Sequence, residues 1–169
     1  GIAVNLLEKF LQAGYDYNSA LEFINSILLI KSDEENYTTL DISIINQHNG
    51  EVEFLKVGAV STFIKYRDRV EIVNNNSLPA GILHNIDFDL SRRKLRSGDF
   101  IIMVTDGVLD ANKNELDKER WLAKVICEID TRNPQKIADY IMESCMKKAY
   151  DIPVDDITIL VAKVYESKS

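Results

Sequence analysis

Cysteine is scarce. Cys127 and Cys145 are the only two in 169 residues, each inside a helical pattern among apolar neighbours and at no metal-type pair spacing. That excludes a disulfide framework and a cysteine-ligated metal knuckle, and it leads us to expect buried free thiols in a reducing compartment. No apolar run approaches the ~18 residues that span a bilayer, and no signal peptide opens the chain, so the segment is expected to be soluble and to make no direct membrane contact. Positive charge is also in short supply. Against 27 acidic residues stand 20 Lys and Arg, a formal charge of -7 with pI near 4.9. Nucleic acid and anionic membranes are polyanions that such a surface repels, so neither is an expected partner. The acidic excess as a whole serves solubility. An initiator methionine is lacking as well. The chain opens directly on an amphipathic pattern, which suggests a piece of something longer.

What is present is ordinary globular material, 46% hydrophobic and 28% charged, enough for one domain with a core that needs no covalent staples. Val4, Leu6, Leu7, Phe10 and Leu11 recur at helical steps ahead of Gly14, where a helix would stop. Asp16 or Asn18 can cap a second helix with Ala20, Leu21, Ile24, Ile27 and Leu28 along one side. Residues 1–32 therefore read as a helical hairpin whose stripes must be buried on a sheet or on a partner chain.

Over residues 36–169 sheets and two further helices are expected. Residues 37–45 and 51–57 alternate on either side of Asn49-Gly50, a strong hairpin signal, and Thr62–Tyr66 and Val70–Val73 continue an antiparallel meander. Leu78-Pro79-Ala80-Gly81-Ile82 reads as an apolar plug, residues 86–90 as a half-exposed strand, and Arg92-Arg93-Lys94 as a solvated strand face. Leu116, Trp121, Leu122, Val125 and Ile126 stripe one C-terminal helix. Ile137, Ala138, Ile141, Met142, Cys145 and Met146 stripe another, opened by Asn133-Pro134. At that spacing Trp121 is a packing residue rather than a ligand platform.

Two acidic sites stand out from this frame. Phe100-Ile101-Ile102-Met103-Val104 reads as a strand buried on both faces, and it ends at Thr105-Asp106-Gly107, which no apolar pattern requires. Alone, that Asp-Gly is equally a plain turn. Asp155-Asp156 stands just before Ile157–Val164, a final apolar strand. Adjacent carboxylates repel each other and lose hydration unless a cation or donors compensate. If the two strands are antiparallel neighbours, Asp106 and Asp155 meet at one rim, which suits Mg²⁺ or Mn²⁺, hard ions that take carboxylate and water oxygens. The competing reading makes Asp155 and Asp156 a loop and a cap.

Val104-Thr105-Asp106-Gly107-Val108-Leu109-Asp110 followed by Asp155-Asp156-Ile157-Thr158 resembles the two C-terminal metal motifs of the PPM family, the metal-dependent serine/threonine protein phosphatases, in the bacterial branch containing stage II sporulation protein E. Asn25-Ser26-Ile27-Leu28, Tyr37-Thr38-Thr39-Leu40-Asp41, Phe54-Leu55-Lys56-Val57-Gly58 and Ser77-Leu78-Pro79-Ala80-Gly81-Ile82 stand in the order that branch has them. The resemblance implies an α+β fold, an antiparallel β-sandwich flanked by α-helices and here N-terminally truncated. It implies two Mn²⁺ or Mg²⁺ ions at one rim that activate a water for attack on phosphoserine or phosphothreonine. It carries over Asp106 and Asp155 as metal ligands, Asp156 and Thr158 as their supports, and Gly107 as the residue that permits the turn. No catalytic side chain beyond these is carried over.

The family's earlier Gly-Asp and Asp-Gly, which bridge the metals, precede the helical hairpin and have no counterpart here; Gly98-Asp99 is a turn before the central strand. The chain by itself is therefore expected to hold about half of the metal site, to bind metal weakly and to be inactive. Absent strands would leave sheet edges open, favouring a homodimer. For the parent, the resemblance implies a cytoplasmic phosphatase, with a membrane tether upstream left open. Its substrate would be a phosphorylated anti-sigma factor antagonist, whose dephosphorylation activates a sporulation sigma factor. The alternative is a non-catalytic regulatory or dimerisation module acting through hairpin residues Leu7, Phe10, Leu21, Ile24 and Ile27. A HAD-like phosphatase is set aside, because Asp87-Phe88-Asp89 sits in an alternating, half-exposed pattern rather than after an early buried strand.

Overall fold

Three of the helices begin on a side chain that accepts an otherwise orphaned amide, the usual device for starting a helix in water. Asp16 Oδ1 accepts the Ser19 N–H at 3.0 Å, Asp117 Oδ1 that of Arg120 at 3.0 Å, and Asn133 Oδ1 that of Lys136 at 3.2 Å. The Ser19 amide, with the Ser19 hydroxyl second, holds the Asp16 carboxyl below its ordinary range. A computed structural model describes residues 2–31, 39–74, 80, 89–149 and 155–165. Its elements are α1 (Ile2–Gln12), α2 (Tyr17–Lys31), β1 (Leu40–Ile45), β2 (Glu51–Val57), β3 (Thr62–Lys65), β4 (Val70–Val73), β5 (Asp89–Lys94), β6 (Phe100–Val104), α3 (Asp106–Asp110), α4 (Lys118–Glu128), α5 (Pro134–Lys148) and β7 (Ile159–Lys163). This is the α+β class expected, helices with antiparallel sheet. Among the described residues no helix is long and apolar enough to cross a membrane.

The chain divides into two compact units. The first comprises Gly1–Ser43, Glu53–Ala59 and Asn75–Ser91. Its core joins Leu21 and Ile24 of α2 to Leu40, Leu55, Val57 and Ala80, with Leu6, Leu7, Phe10, Tyr17 and Ile42 packed against them. The hairpin thus buries its stripe within its own unit, and Ala80, the one described residue of the expected plug, is fully buried. The neighbouring plug residues and the expected strand start at 86–88 lie outside the described residues. β2 is buried almost throughout, from Val52 to Val57, where alternation led us to expect one open face. Leu55 and Val57 fill the hairpin core, and Lys56, on the opposite side of the strand, is 1% exposed and paired to Asp41 at 2.7 Å.

The second unit, Ile44–Val52, Val60–Asn74 and Arg92–Ser169, holds a four-stranded sheet in the order β4-β3-β6-β7. All its pairings are antiparallel. Its core combines Phe63, Phe100, Ile102 and Val104 with Leu122, Ile126, Ile137, Ile141 and Cys145 of α4 and α5. Trp121 packs against this core, as its spacing predicts. The Asn49-Gly50 turn forms as expected, Gly50 with φ +72°. Strands β1, β2 and β5 follow the sheet order β1-β2-β5. The basic run belongs to β5 itself. Arg92 and Lys94 are solvated, but Arg93 is half-buried and binds Glu71 at 2.6 Å.

The expectation of two buried thiols needs correction. Cys145 is buried, and Cys127 is exposed. Leu122, Ile126 and Ile129 take the inward positions at that end of α4, so Cys127, one step past Ile126, falls on the outer face. Burial pushes the Cys145 thiol up to about 11.

Candidate functional site

β6 carries its apolar run to one end of the sheet and stops at Thr105. Antiparallel pairing puts Val104 opposite Ile159 of β7, so the exit of β6 and the entry to β7 share a rim, the condition on which the two acidic motifs depend. The ladder extends one residue further: the Thr105 N–H donates to the Thr158 carbonyl at 3.1 Å. Thr105 then takes extended geometry as the N-cap of α3, yet its side chain caps nothing. Its hydroxyl is engaged across the gap. It accepts the Thr158 N–H at 2.9 Å and donates to the Asp156 carbonyl at 3.1 Å.

Asp106 opens α3 and is exposed. Its Oδ1 accepts the Gly107 N–H at 3.0 Å. Asp155 is exposed likewise, with Oδ1 accepting the Asp156 N–H at 2.7 Å. Each carboxylate is aimed by the amide that follows it, and a carboxylate's ~four acceptor positions leave room for a cation besides. Asp156 contributes its carbonyl, not only its charge. That oxygen lies against Gly107, where a Cβ would meet it at 2.5 Å and the Asp155 carbonyl at 3.2 Å.

Gly107 therefore serves the site for a reason other than the one read from sequence. It sits inside α3 with no positive φ; it makes room rather than a turn. Gly98, with φ +98°, does turn the chain, and Asp99 accepts the Arg96 N–H at 2.8 Å, as a turn residue would. Other acids near this end are already engaged. Asp110 pairs with Lys118 at 2.5 Å, and Glu119 accepts the Ser61 hydroxyl at 2.5 Å.

As a cation site the rim suits a hard ion in the kind of donor it offers, carboxylate and carbonyl oxygen, and falls short in number. Among the described residues no three His, Cys, Asp or Glu side chains gather as a metal site would require. The hairpin residues belong elsewhere: Leu21 and Ile24 are buried in the first unit's core, Leu7 and Phe10 pack against it, and Ile27 is half-buried. Thr105 was missed in the sequence. Its signal was the pairing of threonines: align β6 with β7 and Thr105 falls opposite Thr158, each beside its acids.

Comparison with known proteins bears on this geometry. A family model described as stage II sporulation protein E matches residues 1–165. Stage II sporulation protein E of Priestia megaterium is 35% identical over 161 residues, 95% of this chain and 28% of the relative. That of Bacillus subtilis (strain 168) is 36% identical over 161 residues, 95% of this chain and 20% of the relative. The chain thus spans between a fifth and rather more than a quarter of those relatives' length. The solved PP2C phosphatase domain of SpoIIE from Bacillus subtilis, with a fragment of its regulatory domain, superposes with a TM-score of 0.89 at 35% identity, over 99% of this chain and 50% of that one. The phosphatase domain of the same protein presoaked with Mn gives 0.76 at 34% identity, over 99% of this chain and 75% of that one.

Proposed function

The chain belongs to the stage II sporulation protein E family, and from that premise we propose that it is the C-terminal part of a metal-dependent protein serine/threonine phosphatase domain, with residues 1–32 as its regulatory helical hairpin. One observation carries the reading. Asp106 and Asp155-Asp156, far apart in sequence, stand at one sheet end on backbones that touch at Gly107. In this reading Asp106 and Asp155 hold Mn²⁺ or Mg²⁺, and Asp156 and Thr158 support them. The bound metal would supply a water acidic enough to attack phosphoserine or phosphothreonine and would offset charge on the phosphoryl group. The protein's own residues fix where that charge sits. The substrate is a phosphorylated anti-sigma factor antagonist, and its dephosphorylation activates a sporulation sigma factor. Support for that substrate is family membership alone.

These 169 residues alone turn over negligibly, because two ligating carboxylates do not make a dinuclear centre and the remaining ligands come from other parts of the protein. A second role runs beside the first. The hairpin carries a ring cluster in which Phe10 stacks on Phe23 at 5.3 Å and Tyr15 meets both edge-on. Tyr15 is 47% and Phe23 49% exposed. Apolar surface left open in this way suits self-association as a homodimer.

Asp106→Asn and Phe23→Ser in the whole protein separate the two roles. Asp106→Asn is expected to weaken Mn²⁺ dependence of phosphatase activity by about tenfold to a hundredfold with assembly intact. Phe23→Ser is expected to lower the mass seen by light scattering and leave Mn²⁺ dependence in place. Unaltered Mn²⁺ dependence in Asp106→Asn would remove the metal-ligand assignment.

A further inference from the structure

Thr105 does what neither a strand end nor a helix cap ordinarily does. A hydroxyl has one proton and two acceptor positions. That of Thr105 gives its proton to the Asp156 carbonyl at 3.1 Å and receives the Thr158 amide at 2.9 Å, while its backbone N–H holds the Thr158 carbonyl at 3.1 Å. Three hydrogen bonds thus run from one residue to a three-residue span. The Ile157 side chain packs on the core and gives that span depth, but packing is non-directional. The strand register ends at Val104 and Ile159, and one backbone bond, from the Thr105 N–H to the Thr158 carbonyl, continues it. Beyond that bond, the Thr105 hydroxyl is what ties the chain at Asp156 to the exit of β6.

The Asp156 carbonyl has a second neighbour, Gly107, which leaves it the space a Cβ would take. Thr105 and Gly107 flank Asp106 in sequence; Thr105 binds that oxygen and Gly107 leaves it room. We propose that Thr105 is the positioning residue of this site: its hydroxyl straps the entry of β7 to the exit of β6 and so sets the spacing between Asp106 and Asp155. The use of that spacing, to hold a metal, rests on the phosphatase reading; the strap itself does not.

The test uses Thr105→Val, which keeps the branched shape and loses the hydroxyl, and Thr105→Ser, which keeps the hydroxyl and loses a methyl. Both are made in the whole protein and followed by hydrogen exchange of the peptide covering 156–158 and by calorimetric titration with Mn²⁺. Thr105→Val is expected to speed exchange at Thr158 by about tenfold or more and to weaken Mn²⁺ by about tenfold. Thr105→Ser is expected to stay within about twofold of the parent in both. Unchanged exchange in Thr105→Val overturns the strap. Faster exchange with Mn²⁺ affinity unmoved overturns its positioning role. A parent protein that takes up no Mn²⁺ at all would instead bring down the metal reading, and the exchange result would still decide the strap.

Discussion

Gly107→Ala is expected to destabilise the protein by about 3 kcal/mol, although it places the best helix former inside a helix. The sign needs arguing. Gly107 lies within α3 and has no positive φ, so propensity alone would favour alanine by about 1 kcal/mol. Against that, an added Cβ would stand 2.5 Å from the Asp156 carbonyl oxygen and 3.1 Å from its carbon. Both are backbone atoms, which no rotamer change can clear. The β7 entry would have to back away, and the Thr105 hydroxyl bonds at 2.9 and 3.1 Å would go with it. Overpacking therefore outweighs propensity. Urea denaturation should show the loss, accompanied by faster exchange at Thr158. A variant more stable than the parent would mean that the approach of Asp156 to Gly107 is not a feature of the folded protein.

Much of this was legible beforehand. The central strand could be read because its residues are apolar on both faces, and its end because Asp-Gly breaks that run without need. The acidic motifs share a rim only if β6 and β7 pair antiparallel, and the register meets that condition. What escaped were effects that need a neighbour to be seen. Gly107 looks like a turn until Asp156 is placed against it. Thr105 looks like one more β-branched strand residue until Thr158 is opposite. Cys127 and Cys145 share a helical apolar context, and only the phase of each helix against the core, α4 for Cys127 and α5 for Cys145, puts one outside and the other in. For Thr105 and the cysteines local pattern gives the element and is silent about the contact across it; for Gly107 it misses the element too, a helix in place of a turn.

Lys56 is the extreme example, and its replacement carries the largest expected effect. A lysine in an alternating strand would ordinarily point to water, yet Lys56 is 1% exposed and meets Asp41 Oδ2 at 2.7 Å, Asp41 itself being 16% exposed. Moving either charge out of water costs several kcal/mol, and the pair offsets this only while both members are present. Lys56→Met keeps the stem and removes the charge, leaving the Asp41 carboxylate to face a lost cation. The expected loss is about 3–5 kcal/mol by chemical denaturation. Lys56→Met combined with Asp41→Leu should recover most of it, since two apolar groups of similar volume replace a pair that gained little net stability. A cost under about 0.5 kcal/mol for Lys56→Met would mean the side chain finds water in solution. Asp41 lies on β1 and Lys56 on β2, adjacent strands in one sheet, so the pair also chooses their register. A slip by one residue would turn Lys56 to the side where Leu55 and Val57 fill the hairpin core, away from Asp41. The apolar double variant, nearly as stable, should therefore discriminate less between registers, and broadened amide resonances along β1 would reveal it.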